Sequence, residues 1–262
     1  MCSMDNLRIY GSQPYNVAVI HGGPGAPGEM APVARELSDI KGVLEPLQTA
    51  DTLEGQVQEL KAVLQNNADI PVILIGFSWG AILSFILSSQ YPMLVKKLIL
   101  VGSAPFEEEY AATIMTTRLD RLSEQDRIQV FSITESLNHT ATKDKNDLME
   151  QLGNLMLKAD AYDPILGETD IIEYQYEVYQ SVWKQASKLR KEGRLLELGK
   201  KIQCPVVAIH GDYDPHPYST VESLSSILED FRLILLEKCG HRPWMERNAR
   251  EKFYSVLKNE II

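Results

Sequence analysis

The chain has 262 residues and carries 36 acidic against 26 basic side chains, a net charge of −10 at pH 7. That length fits one large domain, alone or with a small appendage, and hydrophobic and charged fractions of 44% and 24% exclude extensive disorder. The acidic balance argues against a nucleic-acid partner, which needs a basic face, and against docking on an anionic membrane surface. Cys2, Cys204 and Cys239 form no C-x-x-C pair and are too few for a disulfide framework. Residues 1–10 lack the apolar core of a secretory signal, so the expected location is cytoplasmic.

In chain order, residues 16–20 (Asn-Val-Ala-Val-Ile) read as a continuously apolar strand. Asp51-Thr52-Leu53-Glu54 predicts a capped helix start with Asp51 as the cap, followed by Leu53, Val57, Leu60 and Leu64 at helical spacing. Residues 70–95 contain no charge and are long enough to suggest a membrane span. Gly76 and Gly80 interrupt them, however, and the reading preferred is a buried strand over 72–75 and a buried helix over 81–89. Strands at 97–101, 206–209 and 232–236 follow. These runs are apolar throughout rather than alternating, as in parallel strands covered on both faces. The predicted fold is therefore α/β, a mostly parallel sheet with helices on both faces. Between residues 106 and 200 no strong strand run occurs. Helical stretches are expected at 113–122, 145–157 and 170–189, so residues 1–105 and 201–262 form the core and 106–200 a helical cap.

Four segments carry chemistry. Gly76-Phe77-Ser78-Trp79-Gly80 lies between a strand and a helix, where a serine on a tight turn projects its Oγ and the helix start offers N–H groups to an anion. His21-Gly22-Gly23-Pro24-Gly25 follows the strand at 16–20 and supplies backbone donors for an oxyanion. Pro24 has none, leaving Gly22, Gly23 and Gly25; Gly23 is preferred, with the Trp79 N–H as second donor. The loop lacks the Lys-Ser/Thr of a phosphate loop. Two prolines also spoil its match to a dinucleotide fingerprint. His241, in Cys239-Gly240-His241-Arg242-Pro243-Trp244-Met245-Glu246, is the candidate base. Cys239 and His241 alone lack the further ligands of a zinc site, so no metal or other cofactor is expected. Asp212 and Asp214, in His210-Gly211-Asp212-Tyr213-Asp214, are the candidate orienting acids. His139 and His216 read as lone surface histidines.

Together these segments resemble the α/β-hydrolase superfamily, and the H-G-G-P-G loop with a Ser-Trp-Gly elbow looks most like the proline iminopeptidases of peptidase family S33. The resemblance covers about residues 16–103 and 205–257. It implies Ser78 as nucleophile, Asp214 rather than Asp212 as acid, since the acid there falls three residues after the glycine ending its strand, and His241 as base. It implies an oxyanion hole from the Gly23 and Trp79 amides. It also places the cap between the sixth and seventh strands, although only 15 residues precede the strand at 16, too few for the usual N-terminal hairpin. Residues 7–10 are then the remnant strand, and a sheet so shortened leaves the strand over 43–47 near an edge, where the missing N–H of Pro46 is tolerated. The implied activity is hydrolysis of a small ester or amide through an acyl-enzyme, with a small-molecule or short-peptide substrate and, in its sharpest form, an N-terminal proline residue as the group released. An aminopeptidase needs carboxylates for the free amine. Residues 106–200 hold 18 acidic against 12 basic side chains, and Glu173, Glu177 and Trp183 are the candidate substrate contacts, with Glu173 and Glu177 one turn apart on a helix. The competing reading is a hydrolase-fold ligand sensor with negligible turnover.

Overall fold

The computed structural model describes residues 6–139, 142–165, 170–171 and 173–262; Cys2 lies outside them. A seven-stranded sheet runs through the described residues in the order β1-β3-β2-β4-β5-β6-β7. The strands are β1 (Leu7–Tyr10), β2 (Tyr15–Ile20), β3 (Gly42–Pro46), β4 (Val72–Phe77), β5 (Val95–Val101), β6 (Val206–Gly211) and β7 (Phe231–Leu236). All neighbours are parallel except β1, which runs antiparallel to β3. Successive strand residues point to opposite faces, and both faces are covered, which is why the strands read as unbroken apolar runs. Ala18, Leu74, Leu98 and Ala208 pack with α2 (Leu53–Asn67) and α3 (Trp79–Gln90), after α1 (Ala31–Leu37) in the chain. Val19, Ile75, Ile99 and Val207 face the other way, against α1 and the C-terminal helix.

Two local expectations are adjusted and a third holds. The N-cap of α2 is Thr52, whose Oγ1 accepts the Gly55 N–H at 3.0 Å, and not Asp51, which lies one residue too early. The strand carrying Pro46 is one place in from the edge, because β1 covers it. The proline is tolerated at the last position of β3, beyond which Leu47 N–H donates to the Asn6 carbonyl at 2.8 Å. The apolar run 70–95 resolves into β4 and α3, and no helix among the described residues is long and apolar enough to cross a membrane.

The helices between β5 and β6 are α4 (Glu108–Arg121), α5 (Glu124–Asn138), α6 (Lys145–Asp160), α7 (Tyr176–Lys191) and the single turn α8 (Arg194–Glu197). They thus fall one strand earlier than the expected sixth-to-seventh position, since the lone β1 stands in place of an N-terminal hairpin. They share a small core of their own, with Leu122, Val130, Ile133, Met149, Leu155 and Tyr176 buried together. The expected helix over 170–189 begins only at Tyr176: Gln175 is non-helical, with φ −124° and ψ 84°, and its N–H donates to the Gly25 carbonyl at 2.8 Å. After β6 come the single turn α9 (Ser219–Glu222) and, after β7, α10 (Arg250–Ile261).

Candidate active site

The β4–α3 turn is as tight as its glycines allow. Ser78 adopts φ 51° and ψ −112°, a left-handed conformation that a non-glycine residue holds at a cost of about 1–3 kcal/mol. A Cβ on Gly76 would overlap the Gly80 carbonyl, and one on Gly80 would overlap the carbonyl oxygens of Ile20 and His21. Only glycine lets the elbow sit directly on the end of β2. The turn is held by Ser78 N–H donating to the Val101 carbonyl at 2.9 Å. Trp79 is the first residue of α3, so its N–H has no carbonyl one turn back. Gly23, with φ +28°, faces the same cavity as Ser78, and no described group accepts its N–H.

Side chains from three strand ends converge above this turn. Ser78 Oγ lies 3.1 Å from His241 Nε2, and His241 Nδ1 lies 2.8 Å from Asp214 Oδ2. The ionised carboxylate only accepts, so His241 Nδ1–H donates to it and Nε2 is left to accept the serine proton. All three are buried, and the imidazole rests on Phe77 at 4.8 Å between ring centroids. Burial alone raises the Asp214 carboxyl, but the surrounding imidazoles of His241, His216 and His210 overcome it and hold the group well below the usual carboxylate range. Asp212 is exposed and plays a different part, accepting the Cys239 N–H at 3.1 Å.

The structure brings in residues the sequence reading did not select. His216, expected at the surface, is buried: its backbone N–H and its Nδ1 both lie 2.9 Å from Asp214 Oδ1, and its ring stacks on His241 at 4.4 Å. Its proximity to Asp214 in sequence was the available signal. Arg118 of α4 holds Asp160 of α6 by two bonds of 2.7 and 2.6 Å. Glu29 pairs with Arg242, joining the segment after the H-G-G-P-G loop to the loop that carries His241. Glu246 is buried and accepts three backbone N–H groups, from Gly240, Tyr162 and Asp163. Asp160 also accepts the His241 N–H on its carbonyl, at 2.9 Å. Nothing in the sequence links Arg118 to Asp160, which lie on different helices 42 residues apart.

A cavity of about 470 Å³ opens over Ser78 and His241. Ala111, Ile114, Met115, Met149, Met156 and Trp183 form its apolar wall. Among the described lining residues the carboxylates are Glu29 and Asp160, and both are already paired with arginines. Trp183 lines the cavity as expected, whereas Glu173 and Glu177 do not. Glu173 precedes α7, so the two do not share a helix face, and both are exposed. Asp214, His216 and His241 bring three ligand atoms within 4.8 Å of one another, a spacing that could suit a metal. Each Nδ1, however, is engaged in donating its proton to Asp214.

A family model of the alpha/beta hydrolase fold matches residues 46–247. The chain belongs to that family. No curated protein matches the chain in sequence. Solved structures of α/β hydrolases share its fold across almost its whole length. VinJ is 18% identical, with a TM-score of 0.68, over 98% of this chain and 95% of its own. An esterase from Exiguobacterium antarcticum is 19% identical, with a TM-score of 0.65, over 97% and 94%. A proline iminopeptidase from Mycobacterium smegmatis is 17% identical, with a TM-score of 0.62, over 97% and 93%. At such identities the likeness establishes the hydrolase fold and no substrate.

Proposed function

We propose that the protein is a serine hydrolase that cleaves a small ester or amide through an acyl-enzyme on Ser78. The observation that carries this reading is the unbroken line from Ser78 Oγ through His241 to Asp214. His241 Nε2 takes the serine proton as Oγ attacks the substrate carbonyl carbon. The Gly23 and Trp79 amides stabilise the resulting oxyanion, and the imidazolium returns the proton to the departing oxygen or nitrogen. Water, activated by the same imidazole, then adds to the acyl-enzyme and releases the acid and Ser78.

The cavity wall favours an apolar acyl group. The N-terminal-proline peptidase version has less support, because a substrate ammonium needs an unpaired carboxylate and both described carboxylates of the cavity already face arginines. Active-site labelling with a fluorophosphonate, read by mass spectrometry, tests the enzyme reading against the ligand-sensor alternative. Wild type is expected to be modified at Ser78 and Ser78→Ala to resist; equal modification of both sinks the reading. A panel of p-nitrophenyl esters beside proline arylamide and its N-acetyl form then separates the versions. Esters are expected to be the better substrates.

A further inference from the structure

Asp214 carries two imidazoles. His241 Nδ1 is bound to Oδ2 and His216 Nδ1 to Oδ1, at 2.8 and 2.9 Å, and the two rings lie 30° from parallel at 4.4 Å. Each ring, fastened to the carboxylate through Nδ1, keeps its Nε2 for a further partner. That of His241 meets Ser78 Oγ, and that of His216 faces the cavity beside it. The carboxylate fixes the tautomer as well: being acceptor-only, it keeps the His216 proton on Nδ1 and leaves Nε2 as a bare acceptor. Burial and the nearby His241 push the His216 imidazole down to about 4, so it stays neutral at physiological pH. No described group bonds Nε2. Its backbone is rigid, with Pro215 and Pro217 on either side and its carbonyl accepting the His210 Nε2–H at 2.7 Å.

From this arrangement we propose that His216 is a specificity-determining residue whose Nε2 accepts a hydrogen bond from a hydroxyl or amide N–H carried by the leaving group. The proposal rests on the serine-hydrolase reading. In that reaction the departing atom must lie at His241 Nε2 to receive its proton, and the His216 ring is stacked beside that imidazole on the cavity wall. Arg118, Arg190 and Arg242 on the cavity wall only donate, so they cannot read a donor. The implied substrate class is an ester of an apolar acid with a polyol or hydroxylated alcohol, or a matching amide.

The test compares 2-hydroxyethyl butyrate with n-propyl butyrate, which differ by a hydroxyl for a methyl at the end of the leaving group. The ratio of their kcat/KM values is measured in wild type, His216→Asn and His216→Phe. Asparagine keeps a donor for Asp214 but is too short to reach the Nε2 position; phenylalanine keeps the stack without an acceptor. Because intrinsic leaving-group reactivity cancels between proteins, the ratio is expected to fall at least about fivefold in either variant that folds, the worth of one neutral hydrogen bond. Phosphonate titration counts active sites in each. An unchanged ratio in both variants overturns the proposal. So does a wild type that turns over p-nitrophenyl butyrate yet prefers the propyl ester or ignores the hydroxyethyl one. Failure of the underlying hydrolase reading looks different: no turnover of p-nitrophenyl butyrate and no labelling of Ser78.

Discussion

His216 also makes a thermodynamic claim that can be measured without any substrate. In the unfolded chain its imidazole protonates near 6.5, while in the folded protein burial and His241 push it down to about 4. Between those values the unfolded state binds a proton that the folded state refuses. Stability is therefore intact above about pH 6.5, falls as pH drops, and has lost this contribution in full by about pH 4. At about 1.36 kcal/mol per pH unit the full window is worth about 3 kcal/mol, of which about 2 kcal/mol is gone by pH 5. His21 and His210, also lowered by burial, act in the same direction. Glu45, raised by burial, acts in the opposite one: its contribution is lost as pH rises above the ordinary carboxylate value. Both effects cancel when wild type is compared with His216→Asn. Urea unfolding followed by tryptophan fluorescence at pH 8 and pH 5 is the assay. The wild type is expected to lose about 2 kcal/mol more than the variant between the two. Equal losses would refute the view that His216 is buried and neutral against the acid.

Two further outcomes follow from the same geometry. Asp214→Asn is expected to lower kcat on p-nitrophenyl butyrate by about 10⁴, because the amide cannot hold the His241 tautomer, whereas Asp212→Asn stays within about threefold of wild type because its amide oxygen still accepts the Cys239 N–H. Glu246→Ala removes the acceptor of three buried or half-buried amides, so urea unfolding is expected to show a loss of about 3 kcal/mol or more, with Glu246→Gln recovering part of it.

How much of this was legible in the sequence depends on whether a feature is local. The elbow, the H-G-G-P-G loop and the base loop each sit within a few residues of a strand end, and apolar runs locate those ends. The mostly parallel pairing follows from the α/β pattern, whereas the order β1-β3-β2-β4-β5-β6-β7 is set only when the strands assemble. The cap was harder. Ser123-Glu124-Gln125-Asp126 is a capping signal, and Ser123 does accept the Asp126 N–H at 3.1 Å to start α5. Yet Ile128 and Phe131 on that helix are exposed and blur its apolar stripe. The paired glutamates misled for a physical reason: Gln175, between them, is non-helical and bonded to Gly25, so the helix begins only after Glu173. The Arg118–Asp160 pair has no local trace at all, being made only when two cap helices meet.

That pair makes the helices between β5 and β6, under the proposed mechanism, part of the candidate site rather than a cover for it. Asp160 uses its carboxylate for Arg118 and its carbonyl for the His241 N–H, so one residue ties two cap helices to the base loop. The Glu246 carboxylate repeats the connection, gathering Gly240 from the base loop and Tyr162 and Asp163 from the cap. On the opposite side Gln175 is bound to Gly25 of the oxyanion loop. The two loops that face each other across the scissile carbonyl in the proposed reaction are thus each fastened to the segment following α6 or preceding α7. A Cβ on Gly240 would overlap the Asp160 carbonyl, and one on Gly25 would overlap that of Gln175. Both glycines are therefore required by close approach of the cap backbone. Any motion that admits substrate must preserve these fastenings or break the alignment of base and oxyanion donors along with them.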